Sequence, residues 1–253
     1  MSDVTALDQG QYTLDEIRKY ETIYGGNFIS PGGESTARDI LSLVALTPNM
    51  EVLDVGCGLG GAAFLIAKTF GAHVHGIELS RNMLQLAQVR CQEAQLTQVV
   101  TFEHADILRY QPSSDFDLVH SRDVFLHIHD KVGLLDAIRR CLRPGGLLLF
   151  SDYLCCAGAK SADFETYIRG RGYDLRTLEE YRVLLEQAGF EVLLAQDRTA
   201  DFIEILEREL EQLETSRLDA IERAALEHSW RDKIRRARAG EQRWGVCMAR
   251  KPE

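Results

Sequence analysis

The sequence has no long apolar run. Nowhere do about twenty apolar residues follow one another, so no membrane-spanning helix and no membrane insertion are expected. It also has no excess of positive charge. Its 29 lysines and arginines face 39 aspartates and glutamates, a net charge of -10, which speaks against a nucleic acid as the main partner. Small anionic ligands stay open, because a few local cations suffice for them. None of the six cysteines (57, 91, 141, 155, 156 and 247) forms a C-x-x-C pair, and most lie in apolar surroundings. Reduced thiols in a cytoplasmic protein are the expectation. The opening Met1-Ser-Asp-Val-Thr-Ala-Leu-Asp-Gln-Gly10 does not read as a signal peptide. Repeats and low-complexity tracts are missing as well.

What is there centres on Glu51-Val-Leu-Asp-Val-Gly-Cys-Gly-Leu-Gly-Gly61. An apolar run, a glycine turn and then Ala62-Ala-Phe-Leu-Ile-Ala-Lys68 read as strand, loop and helix, the opening unit of a nucleotide-binding α/β sheet. Gly56, Gly58 and Gly61 satisfy G-x-G-x-x-G, which by itself allows a dinucleotide or no ligand at all. Asp54 tilts the choice. A pyrophosphate would not welcome its negative charge, whereas a ligand with a cationic centre, such as S-adenosylmethionine, would.

Around this unit the chain alternates strands and helices, the signature of a parallel sheet with crossover helices. Strands are expected at 73–79, 99–106, 116–122, 145–152, 190–195 and 243–250. Residues 11–24 read as a helix opened by a Thr13/Glu16 capping box. A turn-rich loop over 25–33 precedes a helix from Glu34 to Leu46. Ser80 caps a helix reaching about Glu93, another carries Leu134 to Leu142 into Pro144-Gly-Gly146, and a third runs from Leu178 to Ala188. Residues 155–175 suggest an insertion over the sheet edge, and 201–238 read as one or two highly charged helices with an apolar stripe.

Ligands in such sheets sit at the carboxyl ends of the strands. Glu78 ends the second strand, where a carboxylate can accept both hydroxyls of a ribose. Asp106 ends the third, where it can accept from an adenine amino group. Either carboxylate could instead cap the next helix, but the pair beside the glycine loop favours an adenosine ligand. After the fourth strand, Asp123 and His127 are four apart and share one face if this stretch is helical. His127 and His129 do not share a face and no third ligand is in view, so no metal is expected.

The segment Asp54-Val-Gly-Cys-Gly-Leu-Gly-Gly61, with Glu78 and Asp106, resembles the class I S-adenosylmethionine-dependent methyltransferases. More narrowly, Gln11-Tyr-Thr13, Tyr24-Gly-Gly-Asn-Phe-Ile-Ser-Pro-Gly-Gly33, Ser121-Arg-Asp-Val-Phe-Leu-His127, Ser151-Asp-Tyr153 and Gln242-Arg-Trp-Gly245 resemble the phosphoethanolamine N-methyltransferases. Those enzymes methylate phosphoethanolamine, in up to three rounds, to phosphocholine. The resemblance implies that Tyr12 and His127 act on the amine with Asp123 beside them. Tyr20, Ile29 and Ser30 would be lid residues touching the cofactor. With them, Asp54, Gly56, Gly58, Glu78, Leu79, Asp106, Ile107, Ser121 and Arg122 make up the expected cofactor set. Tyr153, Tyr167, Arg171, Tyr173 and Lys233 would bind the phosphate. The departures are Phe28 and Pro31 in the lid loop, and Glu78 where close relatives often have Asp. Plant members carry two methyltransferase domains in tandem and this chain one, which leaves the number of methylations open.

The resulting expectation is a Rossmann-like class I methyltransferase fold, α/β, with a mostly parallel seven-stranded sheet, an N-terminal helical lid and a C-terminal helical insertion. One domain would span 1–253: a lid over 1–35, an adenosylmethionine-binding core over 36–153, and an acceptor-binding and C-terminal part over 154–253. The expected function is N-methylation of a small phosphoamine by a cytoplasmic monomer, with S-adenosylmethionine consumed and S-adenosylhomocysteine released. Another small amine or a natural-product scaffold is the alternative acceptor. The amine must lose a proton before it can attack, and His127, with a pKa near working pH, or a Tyr12–His127 relay, is expected to take it. Arg171, Lys233 and tyrosine hydroxyls can hold a phosphate despite the acidic total.

Overall fold

The computed structural model describes residues 8–216 and 218–253. The reading of Met1 to Gly10 as no signal peptide therefore lies mostly outside the described residues. The strands are β1 (Glu51–Val55), β2 (His73–Glu78), β3 (Val100–His104), β4 (Phe116–Arg122), β5 (Leu142–Cys155), β6 (Glu191–Asp197) and β7 (Gln242–Arg250). They form one seven-stranded sheet in the order β3-β2-β1-β4-β5-β7-β6, in which β7 runs antiparallel to both of its neighbours. The order reverses direction beside β1, so a crevice opens at the carboxyl ends of β1 and β4.

Helices α1 (Leu14–Tyr24) and α2 (Gly33–Leu41) precede the sheet. Then α3 (Gly61–Phe70), α4 (Arg81–Glu93) and α5 (Lys131–Cys141) connect its parallel strands. Beyond β5 lie α6 (Ala162–Arg171) and α7 (Leu178–Gln187), and α8 (Thr199–Glu214) and α9 (Ala220–Arg238) fill the crossover from β6 to β7. Alternate side chains of each strand feed two separate cores, as the pleat requires. Val52, Leu118 and Leu149 join Ala63 and Ile66 of α3 on one face, while Leu53, Val119 and Leu148 join Leu134 and Ile138 of α5 on the other.

Several boundaries differ from the sequence reading for local reasons. Thr13 caps α1 through its hydroxyl, but Glu16 bonds Lys19 at 2.9 Å instead of reaching back, so the capping box is only half formed. The helix expected from Glu34 to Leu46 ends at Leu41, where the Ser42 hydroxyl takes the Asp39 carbonyl and Pro48 follows. Strand β5 starts at Leu142, three residues before the expected Gly145. Its Pro144-Gly-Gly146 segment is a bulge, marked by a register shift against β4. The insertion over 155–175 contains α6. The charged stretch is two helices, and the second begins afresh at Asp219, whose carboxylate caps Ile221 and Glu222. Helix α1 packs against α8, which brings the N-terminal lid over the sheet.

Candidate active site

A cavity of about 760 Å3 opens at the carboxyl ends of the strands, roofed by α1 and the loop after it. That volume is within the range of roughly 300–1,000 Å3 seen for small-molecule sites. Gly56 lines it at φ +69°, and a Cβ there would collide with Val124, so the backbone itself forms the wall. Glu78 lies at the end of β2. One of its oxygens accepts from the backbone N–H groups of Leu79 and Ser80, the other from Gly58 at 3.0 Å. The oxygen facing Gly58 keeps a lone pair, so the held carboxylate can still accept a hydroxyl from the cavity. Burial pushes its pKa up and those backbone donors pull it back. Asp106 turns one oxygen to Leu108 N–H at 3.0 Å, and Leu79, Met83 and Ile107 supply an apolar slot beside it.

The far end of the cavity is aromatic and cationic. Tyr20, Tyr24, Tyr153, Tyr167 and Tyr173 line it with Arg171, Trp230 and Lys233. Tyr167 packs edge-on against Tyr173, and Tyr173 packs the same way against His127. Burial raises the phenol pKa of Tyr20, Tyr153 and Tyr173, so these hydroxyls stay protonated and can donate. Lys233 sits 4.2 Å from the Trp230 ring centroid, and burial lowers its pKa to about 8. Among the described residues neither Arg171 nor Lys233 has a carboxylate partner in an ion pair.

Between the two ends lie Tyr12, Asp123 and His127. The stretch after β4 is not a continuous helix. Asp123 takes a left-handed φ of +55°, and only Phe125–His127 coil, as one turn of 3-10 helix. The shared helical face is thus replaced by convergence on one cavity. Asp123 Oδ1 accepts from Ser151 Oγ at 2.9 Å and from Trp244 Nε1 at 2.8 Å, while its buried Oδ2 has no partner among the described residues. His127 is pushed down to about 4, first by burial and then by the positive charges of Lys131 and Arg171. The expected pKa near working pH does not survive this desolvation. The Tyr12 hydroxyl accepts from Gln11 Nε2 at 3.2 Å, and no hydrogen bond joins it to His127. Burial raises the Tyr12 pKa, with Glu78 and Tyr20 adding to the rise.

A family model described as a methyltransferase domain matches residues 46–189. A curated phosphoethanolamine N-methyltransferase of Plasmodium falciparum is 35% identical over 262 residues, covering 99% of this chain and 97% of that protein. The chain belongs to the phosphoethanolamine N-methyltransferase family. Phosphoethanolamine N-methyltransferase 1 of Zea mays is 41% identical over 252 residues, which are 97% of this chain and 50% of the maize protein. The chain thus spans about half the length of the plant relatives it matches. Among solved structures, Haemonchus contortus phosphoethanolamine N-methyltransferase 2 with S-adenosyl-L-methionine superposes with a TM-score of 0.94 at 34% identity, covering 100% of this chain and 61% of that one. The same worm protein with phosphomonomethylethanolamine and S-adenosylhomocysteine gives a TM-score of 0.92.

The cavity gathers most of the residues the family resemblance singled out, but three lie behind its wall. Asp54 points from β1 into the core, where Oδ1 meets His120 Nδ1 at 2.7 Å, and it does not line the cavity. Strand alternation explains this, since its neighbour Val55 lines the cavity. Ser121 gives its hydroxyl to Val55 O at 2.9 Å, and Gly58 faces Glu78 through its N–H. Arg122 does line the cavity, and its guanidinium holds the Pro31 and Gly33 carbonyls of the lid loop at 2.7 and 2.9 Å. The sequence reading of site residues missed Gln11, Tyr24 and Trp230, all on the wall. Gln11 and Tyr24 lay within the quoted family segments. Trp230 sat unmarked in a charged helix.

Proposed function

We propose that the protein transfers methyl groups from S-adenosylmethionine to the nitrogen of phosphoethanolamine, and of its mono- and dimethyl forms, towards phosphocholine. The observation that carries this reading is one cavity lined by the carboxylate residue Asp123 together with two cations, Arg171 and Lys233, that have no ion-pair partner among the described residues. A zwitterion with an ammonium and a phosphate complements that arrangement. Phosphomonomethylethanolamine, bound in one structure of the worm relative, is of this chemistry.

The residues present fit the cofactor. The Gly56 backbone, the free lone pair of Glu78, Asp106, and the slot of Leu79, Met83 and Ile107 would hold an adenosine, with Tyr20, Ile29, Ser30 and Arg122 closing over the rest. S-adenosylmethionine, when bound, supplies an electrophilic methyl group on a sulfonium and leaves as S-adenosylhomocysteine. The protein contributes orientation and a free lone pair on the amine. Tyr153, Tyr167, Arg171, Tyr173 and Lys233 fix the phosphate through charge-assisted bonds. Asp123 draws the ammonium to the middle of the cavity. His127 is neutral above about pH 4, so its ring nitrogen can accept a hydrogen bond from the amine, while a base this weak does not hold the ammonium proton, which leaves to solvent before attack. Tyr12, a protonated phenol, can accept an amine N–H on its oxygen and so orient the amine with its lone pair left free. As methyl groups accumulate, the tyrosine faces hold the growing cation through attraction worth about 0.5–2 kcal/mol.

We also infer that the chain works as one unit. A lid over 1–35, a core over 36–153 and an acceptor-binding part over 154–253 all contribute walls to a single cavity, which supports action as a monomer. The six free cysteines, five of them buried, support a cytoplasmic setting. Incubation with labelled S-adenosylmethionine and each of the three phosphoamines separately, with product masses, tests the reaction. Label is expected in all three products. No transfer to any of them, with transfer to another amine, would refute the phosphoamine reading.

A further inference from the structure

Glu209 of α8 is far in sequence from every residue given a role above and is 4% exposed. Its two oxygens hold two separate parts of the cavity wall. Oε1 accepts from the Gly32 N–H of the lid loop at 2.6 Å, and Oε2 accepts from Trp230 Nε1 of α9 at 2.9 Å. Gly32 directly follows Ile29, Ser30 and Pro31, the lid residues that face the cavity. Trp230 lies one turn before Lys233, whose ammonium rests on its ring. A buried carboxylate costs free energy that an apolar side chain at the seam between α8 and α9 would not. Packing alone therefore does not account for it.

We propose that Glu209 is a positioning residue that couples closure of the lid loop over the cofactor to recognition of the acceptor's phosphate by Lys233. The inference rests on the phosphoamine reading of the site. A phosphate that fixes Lys233 also fixes Trp230 beneath it. A fixed indole holds the Glu209 carboxylate, whose other oxygen then holds Gly32 and the lid. Thermodynamic reciprocity makes the same chain run backwards, so a lid ordered by cofactor presents a pre-set Lys233 to phosphate. Charge runs along the same line. Lys233 faces Glu209 and Asp123, which favour its charged form, and Arg171 and Arg236, which oppose it. Among these groups Glu209 acts most strongly. Glu209 in turn faces Lys233 and Arg122.

The test is Glu209→Gln in the full chain. The amide keeps one acceptor oxygen but aims an N–H2 at either Gly32 N–H or the indole N–H, so one of the two bonds is lost together with the charge. In the wild-type protein, phosphoethanolamine is expected to tighten S-adenosylhomocysteine binding roughly 5- to 100-fold, read by calorimetry. In E209Q that factor should fall to about one. The KM for phosphoethanolamine should rise about tenfold at pH 8, with kcat changed much less. The pH at which this KM begins to climb should move downward, because Lys233 loses its strongest stabilising charge. Glu209→Asp keeps the charge on a shorter arm and should restore the pH dependence but not the coupling. Trp230→Phe, which removes the indole donor and part of the buried ring, should also lose the coupling. It serves equally if E209Q does not fold. A folded variant with unchanged coupling and an unchanged KM–pH profile would overturn the proposal. A wild-type protein that binds S-adenosylhomocysteine and ignores phosphoethanolamine would overturn the phosphoamine reading itself, a distinguishable result.

Discussion

His127 shows how far burial can move a residue from its solution behaviour. A histidine in water titrates near 6.5, in the middle of the working range. Here desolvation, helped by Lys131 and Arg171, takes it to about 4. The sign of the stability effect follows from proton counts. Between about pH 4 and 6.5 the unfolded chain binds a proton at this site and the folded chain does not. Stability from this group is therefore intact above 6.5, falls as pH drops towards 4, and changes no further below that. The ring is neutral throughout the physiological range, and the acid limb of kcat/KM is not expected to report it. Following the His127 Cε1–H resonance with pH, with S-adenosylhomocysteine bound, should give a midpoint near 4. A midpoint close to the solution value would contradict burial as the controlling force. At this scale the sequence identified residue types well but not directions. Asp54, Gly58 and Ser121 have the right chemistry and lie one pleat or one bond behind the wall. Which way a strand residue points was legible only from the structure, in which Val55 lines the cavity.

The elements were legible wherever periodicity was strong, as in β4, whose bounds agree with the sequence reading. They were less so where a single side-chain bond or a bulge sets the end, as at Ser42 and Pro144. The turn after Asp123 was the least legible, because a left-handed residue followed by one 3-10 turn has no periodic signature. The lid loop is another case, since its position depends on partners remote in sequence. Arg90 of α4 holds Glu21 through two bonds of 2.7 and 2.9 Å, and Glu21 also accepts from Asn27 N–H at 2.7 Å. This fixes Asn27 so that its carbonyl lies only 2.5 Å from where a Cβ on Gly61 would be. Gly61 opens α3, so two effects compete in Gly61→Ala. Alanine favours a helix by up to about 1 kcal/mol, less at its first residue. Displacing a latched backbone carbonyl costs about 1–3 kcal/mol. The clash should win. Gly61→Ala is expected to lower Tm by a few degrees and to weaken S-adenosylhomocysteine binding, while Glu21→Gln, which loosens the latch, should recover part of the binding in the double variant. Thermal melts and calorimetry on the two single variants and the double variant decide it. Equal Tm and affinity in Gly61→Ala and wild type would mean that the lid yields freely.

At the scale of the whole molecule, the glycine motif that admitted a dinucleotide is answered by what surrounds it. The space beyond an adenosine is closed by Ile29, Ser30 and Pro31 from the lid, by the His127 turn and by the tyrosines of α6 and its flank. A second nucleotide would have to displace the lid, the turn and the aromatic end together, and these are cross-tied by Arg122, Glu209 and Lys131. A methionine tail and a small phosphoamine need none of that displaced. The acidic surface does not argue otherwise, because the cations are concentrated where a phosphate would sit. Ligand-linked stability reads this difference directly, since only a ligand that binds the folded state raises its stability. At about 100 times its dissociation constant, S-adenosylhomocysteine should add about 2.7 kcal/mol. For a chain of this size that corresponds to a rise in Tm of roughly 5–10 °C. NADH and NADPH at the same concentration should leave Tm unmoved. Phosphoethanolamine should add to the shift more strongly when S-adenosylhomocysteine is already present than alone, because the lid that orders over one ligand forms part of the wall for the other. A shift with the dinucleotides and none with S-adenosylhomocysteine would return the glycine loop to the dinucleotide reading that its spacing alone permits.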